Sequence, residues 1–387
     1  MPVRVEDLLE LNLFDSARVE AGEKGLKNEL KRVNFSDCPI LNDVIDHEIV
    51  IRGDFFINSL YIVKDDYEEM KKLFEFYINT GSAGVCIIDE YISEIPEEIK
   101  KLADSKSYPI LFINKNIPYG EIIRTTTEMI LLEKIATISE MRIDKLLNEN
   151  LEDEEVISLA MRINGAFKNY YSALYISFAN FNKRNLTFIR NEISNNYEFE
   201  AVQYKNNIIV IINFNKQVMF NSYIKYISEI IEKHSGEFRI GASNIFTDKK
   251  DFNYSIREAF NATEISEIIK EKIVHYKDLS VYKLIYPIKN ERIIEDYHSE
   301  TIEPLKEYDK YYNSNILETV ENFIEHDGDY KKTASLLKQH ENTVRYRVLK
   351  AKKLLGLEDS HFKFIEQISI GLKIDKIFMD KKRWDVY

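Results

Sequence analysis

The chain has 387 residues, 44% hydrophobic and 30% charged, with a formal net charge of −12. That length exceeds one ordinary core and predicts roughly two to four domains, and the composition excludes a globally disordered chain. Two cysteines, Cys38 and Cys86, exclude a disulfide framework or a cysteine zinc site; each sits in an apolar, strand-like context that predicts a buried, inert thiol. The opening MPVRVEDLLELNLFD interrupts its first apolar stretch with acids, unlike a secretory leader, and no window approaches the roughly 18 apolar residues of a membrane helix. A cytoplasmic protein is expected.

Residues 1–118 alternate strand-like and helix-like patterns. Leu30 to Phe35 and Glu48 to Ile51 are short apolar runs, and Gly22 to Gly25 reads as a turn too short for a phosphate loop. Asp66 to Asn79 places Tyr67, Met70, Leu73, Phe74 and Tyr77 at helical spacing, with Asp65 and Asp66 suited to capping its start. Gly84 to Ile88 is a compact buried-strand run. Pro96 to Ser105 predicts a helix turning Ile99 and Leu102 inward, and Pro109 to Ile113 a further strand. This alternation predicts a parallel α/β layer, in which ligands bind beyond the carboxyl ends of strands. A small-molecule sensor is expected, with Asp37, Glu48 and Arg52 as candidate ligand contacts; plain surface charge is the competing reading for each.

Residues 119–157 lose the strand signal. Leu131, Ile135, Ile138 and Met141 form one stripe of a long helix, either a core face or a dimer seam. Glu149 to Glu155 reads as an acidic, solvated hinge. Residues 158–285 return to α/β patterning: strands at Ala173 to Phe178, Asn207 to Asn213, Phe238 to Ala242 and Ile273 to Tyr276, helices at Tyr223 to Glu232 and Ser255 to Lys270. Ile285 to Pro304, with two prolines and many charges, reads as a connector into a helical domain over residues 305–387.

Within that domain, His326 to Gly356 carries eight Lys/Arg against three Asp/Glu, a surplus of five, so the rest of the −12 chain stands at −17. A basic island on an acidic chain is the asymmetry of a nucleic-acid reader. Ile316, Leu317, Val320, Phe323 and Ile324 form the stripe of a supporting helix. Gly328 suits the left-handed residue after it, and Asp329 suits the cap of the next, where Ala334 and Leu337 face inward with Tyr330. After the turn Lys338-Gln339-His340, Val344, Val348, Ala351 and Leu355 form the buried stripe of a third helix. Asn342, Thr343, Arg345 and Tyr346 fall on the opposite arc, with Lys350 and Lys353 further along.

These are groove-competent side chains: Arg bridges guanine acceptors, Asn bridges adenine, and Lys331 and Lys332 on the preceding helix suit phosphate. A three-helix interaction domain with a solvated basic face stays open as the alternative.

The stretch ILETVENFIEHDGDYKKTASLLKQHENTVRYRVLKAKKLLGLE resembles the C-terminal helix-turn-helix of the PucR/CdaR family of bacterial transcriptional regulators. The matching residues are Leu317-Glu318-Thr319, Gly328-Asp329, Thr333-Ala334, Leu337, His340, Asn342-Thr343, Arg345-Tyr346-Arg347 and Leu354 to Leu357. Residues 4–39, with HEIVIRGDFF, AGVCIIDEYISEIPEEI and YPILFI in order, resemble the purine-catabolism-regulator-like N-terminal domain. RIGAS, SIREAFNA and HYKDLSVYKLI resemble the family's GGDEF-like middle domain.

The resemblance implies a multidomain α/β plus all-α chain: a sensor domain over 1–118, a linker or dimerisation helix over 119–157, a degenerate GGDEF-like domain over 158–285, and the helix-turn-helix domain over 305–387. It adds Thr333, His340 and Arg347 to the DNA-contacting candidates. Double-stranded operator DNA, a small-molecule effector and a second copy of the chain are the implied partners, with no cofactor and no metal.

Three features depart from the family, the first being His47, which stands where the N-terminal domain often has glycine before the glutamate, so the family's ligand preference does not carry over. Glu341 stands where a basic residue is usual, and no Gly-Gly-Asp/Glu-Glu-Phe run is present, so no cyclase activity is expected. An enzyme is the rival class, but there is no Walker A run, no strand–GxGxxG–helix, no HExxH and no paired-cysteine motif. A protein-interaction adaptor is the third possibility.

Overall fold

The computed structural model describes residues 2–35, 50–179 and 183–384. They fall into two compact units, Met1–Ser139 and Glu140–Tyr387.

In the first unit, the short helix α1 (Val5–Leu8) precedes five strands: β1 (Arg18–Ala21), β2 (Arg32–Phe35), β3 (Asp54–Asn58), β4 (Gly84–Ile88) and β5 (Ile110–Ile113). Their order is β1-β5-β4-β3-β2, with β2 to β5 parallel and β1 antiparallel at the edge. Helices α2 (Tyr67–Asn79) and α3 (Glu97–Lys106) cover one face, burying Phe74, Tyr77, Ile99 and Ala103 against Phe56, Val85 and Phe112. The opposite face packs Phe55, Cys86 and Leu111 against Val5, Phe14 and Leu30, and against Ile122 and Ile130 of the 30-residue helix α4 (Tyr119–Asn148). Strands covered on both faces read as continuous apolar runs, which is why β4 and β5 were visible in the sequence. Asp66 caps α2 by accepting from the Glu69 amide at 3.0 Å. Burial pushes the Cys86 thiol up to about 12, as expected of an inert core thiol.

The predicted run Glu48 to Ile51 needs correcting. Glu48, like Asp37 and Cys38, lies outside the described residues, and Val50 and Ile51 are not in a strand. The strand begins at Asp54 instead. A carboxylate is a poor strand former, but that of Asp54 is buried and fully engaged. It accepts from Arg32 Nε and Nη2 at 2.8 and 2.7 Å, from Asn34 Nδ2 at 3.1 Å and from the Ile51 amide at 3.0 Å.

The second unit begins within α4 and continues through α5 (Asp153–Ile163), β6 (Tyr170–Phe178), α6 (Lys183–Ser194), β7 (Phe199–Tyr204), β8 (Asn207–Phe214), α7 (Phe220–His234), β9 (Phe238–Ala242), α8 (Phe252–Ile269) and β10 (Ile273–His275). The sheet order is β10-β9-β6-β8-β7, antiparallel except for the β9–β10 pair. Helices α6 and α7 bury one face through Ile189, Ile193, Ile227 and Ile231. On the other, α5 and α8 bury Val156, Ala160, Phe252 and Ile256 together with Ile143 and Leu146 of α4. Gly241 in β9 lets α8 approach so closely that a Cβ there would collide with the Ala259 carbonyl and the Thr263 amide.

Two expectations for this unit are corrected. Only part of Glu149 to Glu155 is a hinge, because Asp153, Glu154 and Glu155 form the first turn of α5, where acids complement the helix dipole. The predicted connector Ile285 to Pro304 is largely helical: α9 (Tyr282–Ile285), a 3₁₀ turn at Tyr286–Ile288, α10 (Arg292–Thr301) and the start of α11 (Glu303–Tyr312). Pro287 and Pro304 occupy first-turn positions, where no amide donor is needed.

The chain closes with α12 (Ile316–Glu325), α13 (Tyr330–Leu336), α14 (Glu341–Leu354) and α15 (His361–Trp384). These helices and α11 enclose their own core of Leu305, Val320, Phe323, Val344, Val348 and Phe364. The second half of α15 inserts Ile374 and Ile377 beside Ala262 and Ile265 of α8, tying this bundle to the middle sheet.

Candidate nucleic-acid interface

Helices α12, α13 and α14 form the expected helix-turn-helix. Asp327 and Gly328 adopt left-handed conformations after α12, and the Gly328 amide closes the helix on the Phe323 carbonyl at 2.9 Å. Asp329 caps α13 by accepting from the Lys331 and Lys332 amides at 2.8 and 3.1 Å, and those helix-end donors hold its carboxyl below the usual range. Lys338 is left-handed in the turn, and His340 caps α14 by accepting the Asn342 amide at Nδ1, 3.2 Å. On the inner face of α14, Val344, Val348 and Ala351 are fully buried, whereas Leu355 is half-buried and Lys352 takes the buried place beside it.

The outer face divides the sequence candidates. Asn342, Arg345 and Tyr346 are exposed, with Tyr346 at 64%, and Lys331, Lys332 and His340 are exposed on the approach to it. Thr343 is half-buried. Three other candidates are committed inward. Thr333 is buried, and its hydroxyl donates to the Asp329 carbonyl at 2.7 Å. Arg347 reaches back through Nη1 to the buried hydroxyl of Thr319 on α12, at 3.0 Å. Lys350 holds its ammonium 4.8 Å from the centre of the Tyr308 ring on α11. The basic island is therefore part scaffold, and direct contact by Thr333 is corrected to a structural role.

Arg345 is the most constrained group on the face. Its Nε and Nη2 both donate to Glu341 Oε1, at 2.9 and 2.7 Å, and its guanidinium lies 4.3 Å from the centre of the Tyr330 ring. Glu341 grips the Nε side of the guanidinium, which leaves the outer Nη1/Nη2 edge pointing away from the pair. That edge carries the two parallel donors a guanine requires.

Leu349, 57% exposed, and exposed Lys353 extend the stripe at helical spacing from Asn342, Arg345 and Tyr346. Leu349 was missed because an apolar residue reads as core by default. Its angle, one turn beyond Arg345, places it on the outer arc.

Asp37 and Glu48 lie outside the described residues. Arg52 is exposed in the turn leading into β3, its stem beside Gly81. That is the amino end of a parallel strand, opposite to the edge where α/β layers receive ligands. At the carboxyl edge, Asn58 bridges Tyr77 and the Leu60 amide, and Asp89 accepts from the Lys115 amide. Among the described residues, no cluster of three His, Cys, Asp or Glu could hold a metal, and no helix is long and apolar enough to cross a membrane.

Residues 7–130 match the Purine catabolism regulatory protein-like family, and residues 316–374 match the PucR C-terminal helix-turn-helix domain. Three regulators of Bacillus subtilis (strain 168) are similar. The Purine catabolism regulatory protein is 29% identical over 130 residues, 33% of this chain and 24% of that one. The DNA-binding transcriptional activator AdeR is 25% identical over 139 residues, 35% of this chain and 33% of that one. The Proline-responsive transcriptional activator PutR is 23% identical over 246 residues, 58% of each. The chain thus spans about a quarter to somewhat over half of the length of these relatives. A crystal structure of Regulator of Polyketide Synthase Expression from Bifidobacterium adolescentis overlaps 61% of this chain and 98% of that one at 14% identity, with a TM-score of 0.28. The chain thus carries a purine-catabolism-regulator-like module near its N-terminus and a PucR-type helix-turn-helix near its C-terminus, the two modules matched by PucR-type transcriptional regulators.

Proposed function

We propose that the chain is a cytoplasmic, ligand-responsive regulator that binds operator DNA with α14 in the major groove and controls a metabolic operon, of purines or another nitrogen compound. The exposed face Asn342–Arg345–Tyr346, carried on a closed helix-turn-helix, is the observation that carries this reading. Asn342 and Arg345 read base edges, Thr343 and Tyr346 flank them, and Lys331, Lys332 and His340 meet phosphates. Arg347 and Lys350 hold α14 in place from behind. Residues 1–118 serve as the effector domain and residues 158–285 as a degenerate GGDEF-like domain without cyclase activity, followed by the DNA-binding domain at 305–387.

The linker helix, 119–157, pairs with a second copy of the chain. Leu131, Ile135, Ile138 and Met141 of α4 are 47–65% exposed, so they are not the core face of a single chain. A homodimer matches a two-fold or repeated operator.

The test is fluorescence anisotropy on an operator selected from random duplexes. Asn342→Ala or Arg345→Ala should cost about 1–3 kcal/mol at one base pair. Lys331→Ala should weaken all sequences alike and reduce the salt slope by about 0.9. Retention of full sequence discrimination by both base-reading variants would refute the assigned face.

A further inference from the structure

A cavity of about 520 Å³ opens in the second unit between the end of α4, the β6 and β7 strands and α8. That volume is in the range of small-molecule sites. Its floor is aromatic: Tyr175, Tyr204 and Phe260 line it, with Tyr175 packed edge-on to the other two rings at 6.2 and 5.2 Å. Leu147 and Pro287 complete the apolar part.

The polar part of the wall is made of donors. Arg257 gives Nε to the Leu146 carbonyl at 2.9 Å and Nη2 to that of Glu149, which leaves Nη1 without an acceptor among the described residues. Tyr175, only 3% exposed, accepts from Asn207 Nδ2 at 3.0 Å and keeps its own phenol proton to donate. Asn148, Asn150 and Asn261 add amides, and Lys205 an ammonium. No carboxylate is among the described residues lining the cavity. Two carboxylates stand behind the wall: Asp144 accepts from the Tyr204 hydroxyl at 2.5 Å and lies 3.8 Å from the Lys205 ammonium, and Glu140 accepts from the Lys205 amide at 2.6 Å. They offset the lysine charge, so the Arg257 guanidinium is the cationic group the cavity offers an anion.

From this we infer that the cavity is a binding site for a small organic monocarboxylate with a ring or short branched apolar body. The three rings and Leu147 would take the body; Arg257 Nη1, the Tyr175 hydroxyl and the asparagine amides would take the carboxylate. A doubly charged phosphoryl group fits less well, because a single free guanidinium edge is the cationic donor the wall presents. An occupant would also press on the Arg257 contacts that hold the carboxyl end of α4, linking the site to the long helix.

The site is distinct from the DNA-binding face, and its test uses no DNA. Isothermal titration calorimetry of the full chain with benzoate should give saturable binding at one site per chain. Benzamide, the neutral isostere, should bind at least roughly tenfold more weakly for want of the ionic hydrogen bond. The isosteric triple variant Asn148→Asp, Asn150→Asp, Asn261→Asp sets carboxylates around the mouth and should lower benzoate affinity roughly tenfold or more by like-charge repulsion. Its circular dichroism and melting temperature check that it folds. Tyr175→Phe, which keeps the ring, should weaken benzoate several-fold and serves if the triple variant fails to fold. Any of four results overturns the inference: no saturable binding of benzoate or cyclohexanecarboxylate, equal binding of benzamide, tighter binding of inorganic phosphate, or unchanged benzoate affinity in the folded variants.

Discussion

Glu341→Gln is the most informative perturbation of the DNA-binding face, because it separates charge from positioning. Both hydrogen bonds of the pair end on one oxygen, at 2.9 and 2.7 Å, and the side chains are 55% and 28% exposed. An exposed pair one helical turn apart contributes only about 0.3–0.5 kcal/mol to folding, so the melting temperature should hardly move. Two effects on DNA should be larger and of opposite sign. Loss of a carboxylate beside the phosphates should raise affinity for random duplex and steepen the salt dependence, by up to about 0.9 in slope if the released guanidinium turns to a phosphate. Loss of the clamp should lower discrimination at the base pair Arg345 reads, by roughly 1 kcal/mol, the lower end of what a bidentate contact supplies. Anisotropy titrations at four salt concentrations, on the selected operator and on its single-base variants, measure both. The reasoning is refuted if Glu341→Gln leaves the salt slope and the discrimination unchanged while Arg345→Ala alters them, since Glu341 would then have no hold on the arginine in the complex.

Other expectations concern the scaffold. Arg347→Ala removes one hydrogen bond to Thr319, whose hydroxyl still donates to the Asn315 carbonyl at 2.6 Å, and should destabilise the chain by about 1 kcal/mol; on DNA it should weaken all sequences together, as an equilibrium titration on operator and scrambled duplex can tell. Gly241→Ala drives a Cβ into the α8 backbone and should cost about 1–3 kcal/mol or more, read as a lower urea midpoint. Ile135→Glu with Ile138→Glu should convert a dimer to a monomer in sedimentation velocity without loss of fold, because both positions are exposed in the single chain; a dimer that survives would clear α4 of that role. For Asp375, burial pushes the carboxyl up, but hydrogen bonds from His298 at 2.6 Å and Lys306 at 2.5 Å outweigh it and hold the carboxyl below its ordinary value. A depressed folded value means that its stabilisation is complete above the unfolded carboxyl value and is lost as pH falls through the folded one. Stability should therefore drop below about pH 4, and Asp375→Asn should flatten that acid limb while costing about 3–5 kcal/mol at neutral pH.

Legibility in the sequence followed burial. Gly84 to Ile88 and Ile208 to Ile212 are sealed on both faces, so their side chains are apolar throughout, and the runs were visible as strands. Elements whose stability comes from specific partners were hidden. β1 is an edge strand of sequence RVEA with only Ala21 buried, and neither composition nor period distinguishes it from a loop. β3 opens with an aspartate that is tolerable only because Arg32 and Asn34 meet it from β2, a pairing fixed by the register of two parallel strands. The helices of residues 292–312 were masked by proline and charge. Their inward residues, Ile294, His298, Ile302 and Leu305, find partners on α15, more than sixty residues further along the chain.

The same distinction governs the candidate site. Angular sorting of α14 found its inner stripe and most of its outer arc, because both follow from 100° per residue and need no knowledge of neighbours. It could not tell a free cation from an engaged one. Of the eight Lys/Arg counted in the basic island, Arg347 is fixed to α12, Lys350 lies over Tyr308, Lys352 is buried with Nζ 3.0 Å from His361 Nδ1, and Arg345 is held by Glu341. Lys331, Lys332, Lys338 and Lys353 remain exposed around the reading arc. A face with so few free ammonium groups should bind random DNA modestly, since non-specific affinity scales with the phosphates neutralised. Its selectivity must then come from side chains whose geometry is fixed in advance. Glu341, which charge counting marks as a liability near phosphate, is the residue that holds Arg345, the proposed base reader, in position.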